Sequence, residues 1–350
     1  MCNHPHHHSL HCILPPYILA RIAERGSARQ RQQALRALIV DPSLRIKRAS
    51  DGTRRALAIA PANGLKRTIR DAQHQPQAPG AILRRSEGDA PTGDPAVDEA
   101  YDGLGATYDL YWQAYQRNSI DGAGLPLDAT VHYDEDYDNA FWDGSQMVFG
   151  DGDGELFQRF TLAVDVIGHE LTHGVTEREA NLAYYDQPGA LNESISDVFG
   201  SLVKQHLLGQ TADQADWLIG AGLFTSAVRG VALRSMKTPG TAYDDPVLGK
   251  DPQPGHMDDF VTTNQDSGGV HINSGIPNRA FYLAATAIGG NAWDTAGRIW
   301  YEALRDPGTG ANIDFAGFAR VTIAVAGRLY GADSSQAKAV SIAWSEVGVI

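Results

Sequence analysis

The sequence sets two histidines four residues apart around a glutamate, His169-Glu170-Leu-Thr-His173, inside the run from Phe160 to Thr176. Leu162, Val166, Ile167 and Leu171 recur there at helical spacing, so the segment is predicted to be a helix. Residues i and i+4 of a helix stand one above the other, so both imidazoles share a face and their nitrogens can bind one Zn²⁺. Glu170 points to the adjoining side, where it can hold a water without ligating the metal. A catalytic zinc needs a third protein ligand and an open position. Past His173 comes Gly189-Ala-Leu-Asn-Glu-Ser-Ile-Ser-Asp197, in which Glu193, twenty residues beyond His173, is the natural third ligand. Asp197, one turn later on the same face, can accept the second N–H of a liganding histidine and fix its tautomer, and Asn192 can serve the other.

The elements that must position these residues follow from pattern. Residues 55 to 160 mix short β-like runs (Arg55 to Ile59, Thr130 to Tyr133, Gln146 to Phe149) with turn signals such as Asp143-Gly144 and Asp151-Gly-Asp-Gly154, and one helix is predicted from Pro95 to Arg117. After Phe160, apolar-periodic segments recur at 160–180, 189–208, 276–289, 292–305, 312–330 and 334–346. The expected class is α+β: a β-rich N-terminal half and an all-α C-terminal half, with the zinc site on the helix between them. Ahead of both, Ala20 to Val40 reads as short basic amphipathic helices broken at Gly26, and Asp41 to Thr53 as a linker that proteases can reach.

The blocks His169-Glu-x-x-His173, Gly189-Ala-x-Asn-Glu193-x-x-x-Asp197, Asn139-Ala-Phe-Trp142 with Gly150-Asp-Gly-Asp-Gly154, Leu233-Arg-Ser-Met236, and Gly268-Gly-Val-His-Ile-Asn-Ser-Gly275 together resemble the thermolysin-family neutral metalloproteases. They occur in family order and span roughly residues 55 to 350. The head, with Pro15-Pro16-Tyr-Ile-Leu19, resembles the short prosegment of the protealysin branch. The resemblance implies a metalloendopeptidase with one catalytic zinc. In it Glu170 deprotonates the attacking water and then passes the proton to the leaving amine, while His271 and Tyr184 face the developing oxyanion and Asp266 orients His271. It further implies that Arg234 bonds a substrate carbonyl and that Asn139 and Ala140 grip the peptide beside the cut. Phe157, Val166, Ile219 and Leu233 are expected to line the pocket after the scissile bond, which favours cleavage before Leu, Phe or similar residues.

One departure concerns calcium. Where thermolysin gathers carboxylates near this helix, the chain keeps Asp165 and Asp216 but carries Lys204, Leu218 and Ala221. Calcium wants six to eight oxygen ligands, so a lysine ammonium is expected to replace the ion by pairing with Asp165, which makes calcium doubtful here. Asp134-Glu-Asp136 and Asp151 to Asp153 are the remaining acidic loops where a cation could bind.

Composition bounds the partners. The formal charge is −13, but residues 1–50 hold eight basic and two acidic residues, net +6, leaving −19 on the other 300. So acidic a body argues against nucleic acid, and no apolar run reaches the roughly 18 residues of a membrane span. The expected partners are protein and peptide substrates and the chain's own prosegment, the body acting as a monomer. Both cysteines, Cys2 and Cys12, lie in the head, so no disulfide staples the body. The expected organisation is a prosegment over 1–50, a β-rich catalytic domain over 51–184 and a helical domain over 185–350, made as a self-processing zymogen cut within about 41–55. The apolar stretch Ile13 to Ala20 is split by prolines and is a poor secretory signal. Secretion by a non-classical route therefore stands against cytoplasmic residence. Two other classes are compatible with His-Glu-x-x-His alone: a zinc aminopeptidase or other metallohydrolase, and an inactive zinc-containing binding protein. The peptide-gripping blocks and the intact Glu170 argue against each in turn.

Overall fold

The computed structural model describes residues 11–39 and 64–350. The linker, the expected strand at 55–59 and the N-terminal histidine run lie outside the described residues. The head opens with strand β1 (His11–Cys12). Pro16 then starts helix α1 (Pro16–Arg25), a position where a missing N–H costs nothing. Gly26 ends α1, and a second helix, α2, runs from 28 through 39. The break thus falls where the sequence put it.

Five strands of the body, β2 (Arg67–Asp71), β3 (Ile82–Ser86), β4 (Leu127–Val131), β5 (Ala140–Trp142) and β6 (Met147–Phe149), build one sheet with β1. Its order is β1-β5-β6-β4-β2-β3, parallel at β2–β4 and β4–β6 and antiparallel elsewhere. One of the body's two edge strands is therefore β5, and the head covers it, with Cys12 opposite Phe141. Helix α3 (Pro95–Tyr115) packs against the sheet, starting at an Asp94 cap whose side chain accepts from the Ala96 N–H. It stops two residues short of the expected end because Gln116 takes a left-handed conformation, φ 56°, as its C-cap.

The two helices that carry the site, α4 (Val164–Glu179) and α5 (Asp186–Leu208), approach unusually closely. A Cβ at Gly200 would stand 2.3 Å from the Asp165 carbonyl oxygen, and one at Gly168 would stand 2.9 Å from Val203. Glycine at these crossing points lets side chains of α5 reach the imidazoles of α4.

The C-terminal half is helical, with α6 (Asp266–Asn273), α7 (Gly275–Ile288), α8 (Ala296–Leu304), α9 (Phe315–Tyr330) and α10 (Ser335–Glu346). It departs from all-α by two ribbons, β7 (Leu218–Ile219) with β8 (Arg234–Ser235) and β9 (Asp244–Asp245) with β10 (Gly249–Lys250). Strands of two residues carry no periodicity to read. The helical core closes on Trp300 and Trp344, which stack at 6.1 Å while the Trp344 indole N–H donates to Thr322 Oγ1 at 2.9 Å. Truncating either ring to Ala would cost roughly 3–5 kcal/mol. No helix among the described residues is long and apolar enough to cross a membrane.

Candidate active site

His169 and His173 of α4 meet Glu193 of α5 at the centre of the molecule, all three at most 1% exposed. The two Nε2 atoms are 3.0 Å apart, and the Glu193 carboxylate lies 3.4 Å from the first and 3.5 Å from the second. Behind them, His169 Nδ1 is 2.8 Å from Asp197 Oδ1 and His173 Nδ1 is 2.8 Å from Asn192 Oδ1, with Ser196 Oγ at 3.1 Å. Nδ1–H donation to these acceptors turns each Nε2 lone pair inward. Glu193 Oε2 is buried without a hydrogen-bond partner. Two nitrogen lone pairs and an orphaned carboxylate oxygen converge here in a dry site that could hold a metal ion, and this N₂O donor set fits Zn²⁺.

The surrounding charges are held by one another. Asp197 accepts from Arg234 Nε at 2.8 Å, from the terminal nitrogen NH2 of the same residue at 2.7 Å and from Asn278 Nδ2 at 2.8 Å. Burial works against its charge, but the Arg234 guanidinium and His169 bring its pKa down to about 2. Burial lowers His173 to about 3, which keeps it in the neutral, ligating form. Glu170 lies beside His169, accepting from the Trp142 backbone N–H at 3.2 Å through one oxygen while the other is buried without a partner. Burial pushes its carboxyl well above the ordinary range.

On the other side of Glu193, Tyr184 Oη donates to Glu193 Oε1 and lies 3.3 Å from His271 Nε2. Asp266 holds His271 twice, through Nδ1 at 2.6 Å and through the backbone N–H at 2.9 Å. Burial opposes the imidazolium, yet Asp266 and Glu193 raise its pKa. The backbone turn that aims His271 runs through Ser267, Gly268 and Gly269, with φ of 52°, 83° and 80°. The paired glycines supply a left-handed geometry that other residues take only at a cost.

The head sits on the expected peptide grip. Ile13 N–H donates to the Ala140 carbonyl at 3.2 Å, Leu14 N–H to Asn139 Oδ1 at 3.1 Å, and the Arg234 terminal nitrogen NH1 to the Ile13 carbonyl at 3.2 Å. Phe157, Val166, Ile219 and Leu233, the expected pocket residues, are all buried with the head in place. Lys204 Nζ lies 3.3 Å from Asp165 and 2.7 Å from Asp216, so the expected ion pair has a second carboxylate as well. Sequence reasoning missed Ser196, Asn278 and the Trp142 N–H. Ser196 was inside a motif already read, the Trp142 donor is backbone, and Asn278 follows its motif by three residues with nothing local to mark it.

Two family models match consecutive parts of the chain: thermolysin metallopeptidase, catalytic domain, over residues 50–177, and thermolysin metallopeptidase, alpha-helical domain, over residues 180–349. The chain belongs to the thermolysin family of metallopeptidases and is a metalloendopeptidase. It is 55% identical over 337 residues to an extracellular metalloprotease of Pectobacterium carotovorum subsp. carotovorum, covering 96% of each chain. It is 48% identical to protease PrtS of Photorhabdus sp. (strain Az29), covering 96% of this chain and 91% of that one. Its structure is similar to that of the precursor of protealysin, a metalloproteinase from Serratia proteamaculans, with a TM-score of 0.89, 55% identity, and coverage of 97% of this chain and all of the other.

Proposed function

We propose that the chain is a zinc endopeptidase precursor whose head, at Ile13 and Leu14, lies in its own substrate site. The observation that carries this is the convergence of His169, His173 and Glu193 with the head strand hydrogen-bonded to Asn139, Ala140 and Arg234 beside them. The precursor form of its protealysin neighbour supports the same reading.

Zinc, when held by His169, His173 and Glu193, supplies the Lewis acid that polarises a peptide carbonyl. The buried, unpartnered oxygen of Glu170 takes the proton of the attacking water and returns it to the leaving amine. His271, whose imidazolium Asp266 favours, and Tyr184 donate to the carbonyl oxygen as charge develops on it. Asn139, Ala140 and Arg234 hold the substrate backbone, a role supported by their hold on Ile13 and Leu14. Asp197 and Asn192 orient the ligating imidazoles. Phe157, Val166, Ile219 and Leu233 form an apolar pocket that selects a hydrophobic residue after the cut.

The working division is a prosegment over 1–50, a β-rich catalytic domain over 51–184 and a helical domain over 185–350, supported by family models that begin at 50 and meet between 177 and 180. The mature enzyme acts as a monomer on proteins and peptides. Relatives named extracellular proteases support secretion. Lys204 stands in for the calcium pair near α4.

Peptides with Leu, Phe or Asp after the scissile bond, set beside aminoacyl reporters, test the assignment. Cleavage of the Leu and Phe peptides alone supports it, whereas release only of terminal residues from the reporters identifies an aminopeptidase. Self-processing is tested by purified Glu170→Ala: head removal without another protease excludes self-cleavage as its cause.

A further inference from the structure

A second group of metal-ligating side chains lies on the sheet, apart from α4. His74 is in the turn after β2, His132 directly follows β4, and Asp151 follows β6. His132 Nδ1 is 2.8 Å from Asp151 Oδ2, His74 Nδ1 is 3.6 Å from the same oxygen, and the three ligand atoms lie within 4.8 Å of one another. Both histidines hold left-handed backbone, φ 58° and 52°, which a side-chain-bearing residue rarely adopts, and the His74 N–H donates to the His132 carbonyl at 2.9 Å. The two loops are thereby pinned with their rings 5.5 Å apart. The far nitrogen of His132 lies 3.2 Å from Asp94, the residue that caps α3. A carboxylate behind a histidine in this way is how proteins orient metal-ligating imidazoles.

We propose that His74, His132 and Asp151 form a second divalent-metal site, structural in role, for a borderline transition ion such as Zn²⁺. Two imidazole nitrogens and one carboxylate suit such an ion and not calcium, which collects six to eight oxygens. The His74 side chain is 58% exposed, leaving the remaining coordination positions to water. Bound metal would take the place of the proton that His132 shares with Asp151, and it would tie the turn after β2, the end of β4 and the loop after β6 to the start of α3.

The test counts zinc per chain in full-length Glu170→Ala and in the same chain carrying His74→Ala, both equilibrated with zinc. The α4 site and the N-terminal histidines are present in both and cancel in the difference. The His74→Ala chain is expected to hold one zinc fewer, and His74→Gln, which keeps a polar side chain without the ligating nitrogen, the same. His74 is exposed, so both variants should keep the parent's circular dichroism. Equal zinc content in parent and variants would overturn the proposal.

Discussion

Asp197 accepts hydrogen bonds from His169, from two nitrogens of Arg234 and from Asn278, so one buried carboxylate joins the proposed metal ligand His169 to Arg234 of the proposed substrate grip. Replacing it by Asn keeps the shape but removes the charge that orients His169 and neutralises Arg234. Zinc affinity of Asp197→Asn, read by competition with a chelator, should fall about 10- to 100-fold. A second residue-scale expectation concerns His132. The hydrogen bond to Asp151 raises its pKa from 6.5 to about 9, against an opposing effect of burial. A raised histidine stabilises the fold fully below its unfolded pKa and loses that contribution as pH climbs through the folded one. With divalent metals chelated throughout, the melting temperature should therefore decline between about pH 6.5 and 9. His132→Gln should flatten that slope; an unchanged slope would show that His132 does not set it.

At the scale of elements, the crossing of α4 and α5 fixes the ligand geometry. A Val at Gly200 would drive side-chain atoms into the Asp165 carbonyl, and the expected cost is about 1–3 kcal/mol, measurable by urea unfolding, together with weaker zinc binding. Lys204 guards the same crossing. Removing it by Lys204→Ala leaves Asp165 buried beside Asp216 without its cation, an expected loss of roughly 3 kcal/mol. In the wild type, chelating calcium alone with zinc held constant should leave the melting temperature unchanged; a collapse would place calcium, not Lys204, at this crossing. These helices were legible in the sequence because ligands and apolar residues share the 3.6-residue period, as were the head helices around Gly26. The ribbons β7 to β10 and the bent α6 were not, since their conformations rest on left-handed glycines and pairings of two residues set by the surrounding packing. The convergence of His169, His173 and Glu193, with Asp197 and Asn192 behind the imidazoles, was readable from spacing, whereas Asn278 arrives from α7, eighty-one residues from the Asp197 it supports.

At the scale of the whole molecule, the described part of the basic head, residues 11–39, packs on an acidic enzyme, and the contacts show which force dominates. Arg29 makes a two-pronged bond to Asp136, and Arg36 lies 2.8 Å from Asp134. Both arginines are about half exposed, and exposed ion pairs contribute little. Ile13, Leu14, Ile18, Leu19 and Ile22 are each at most 1% exposed, and burying a side chain of this size contributes about 1.5–3 kcal/mol. The apolar residues, more than the charges, therefore hold the head. Leu19→Asp should release casein-cleaving activity before the head is cut, and Arg29→Ala should change it only a few-fold. The reverse order would make the latch electrostatic. The charge split of +6 and −19 was visible in the sequence, but only the fold puts β1 on the free edge of β5.

The central claim is that Glu170 moves the proton in a zinc site that it does not build. Zinc content and casein cleavage, measured together on wild type and Glu170→Ala after the head has been removed from both by the same added protease, test it most directly. Equal zinc in both proteins with cleavage lower by about 10²–10⁴-fold in the variant is the predicted result. Cleavage by Glu170→Ala at the wild-type rate, or loss of zinc along with the activity, would contradict it.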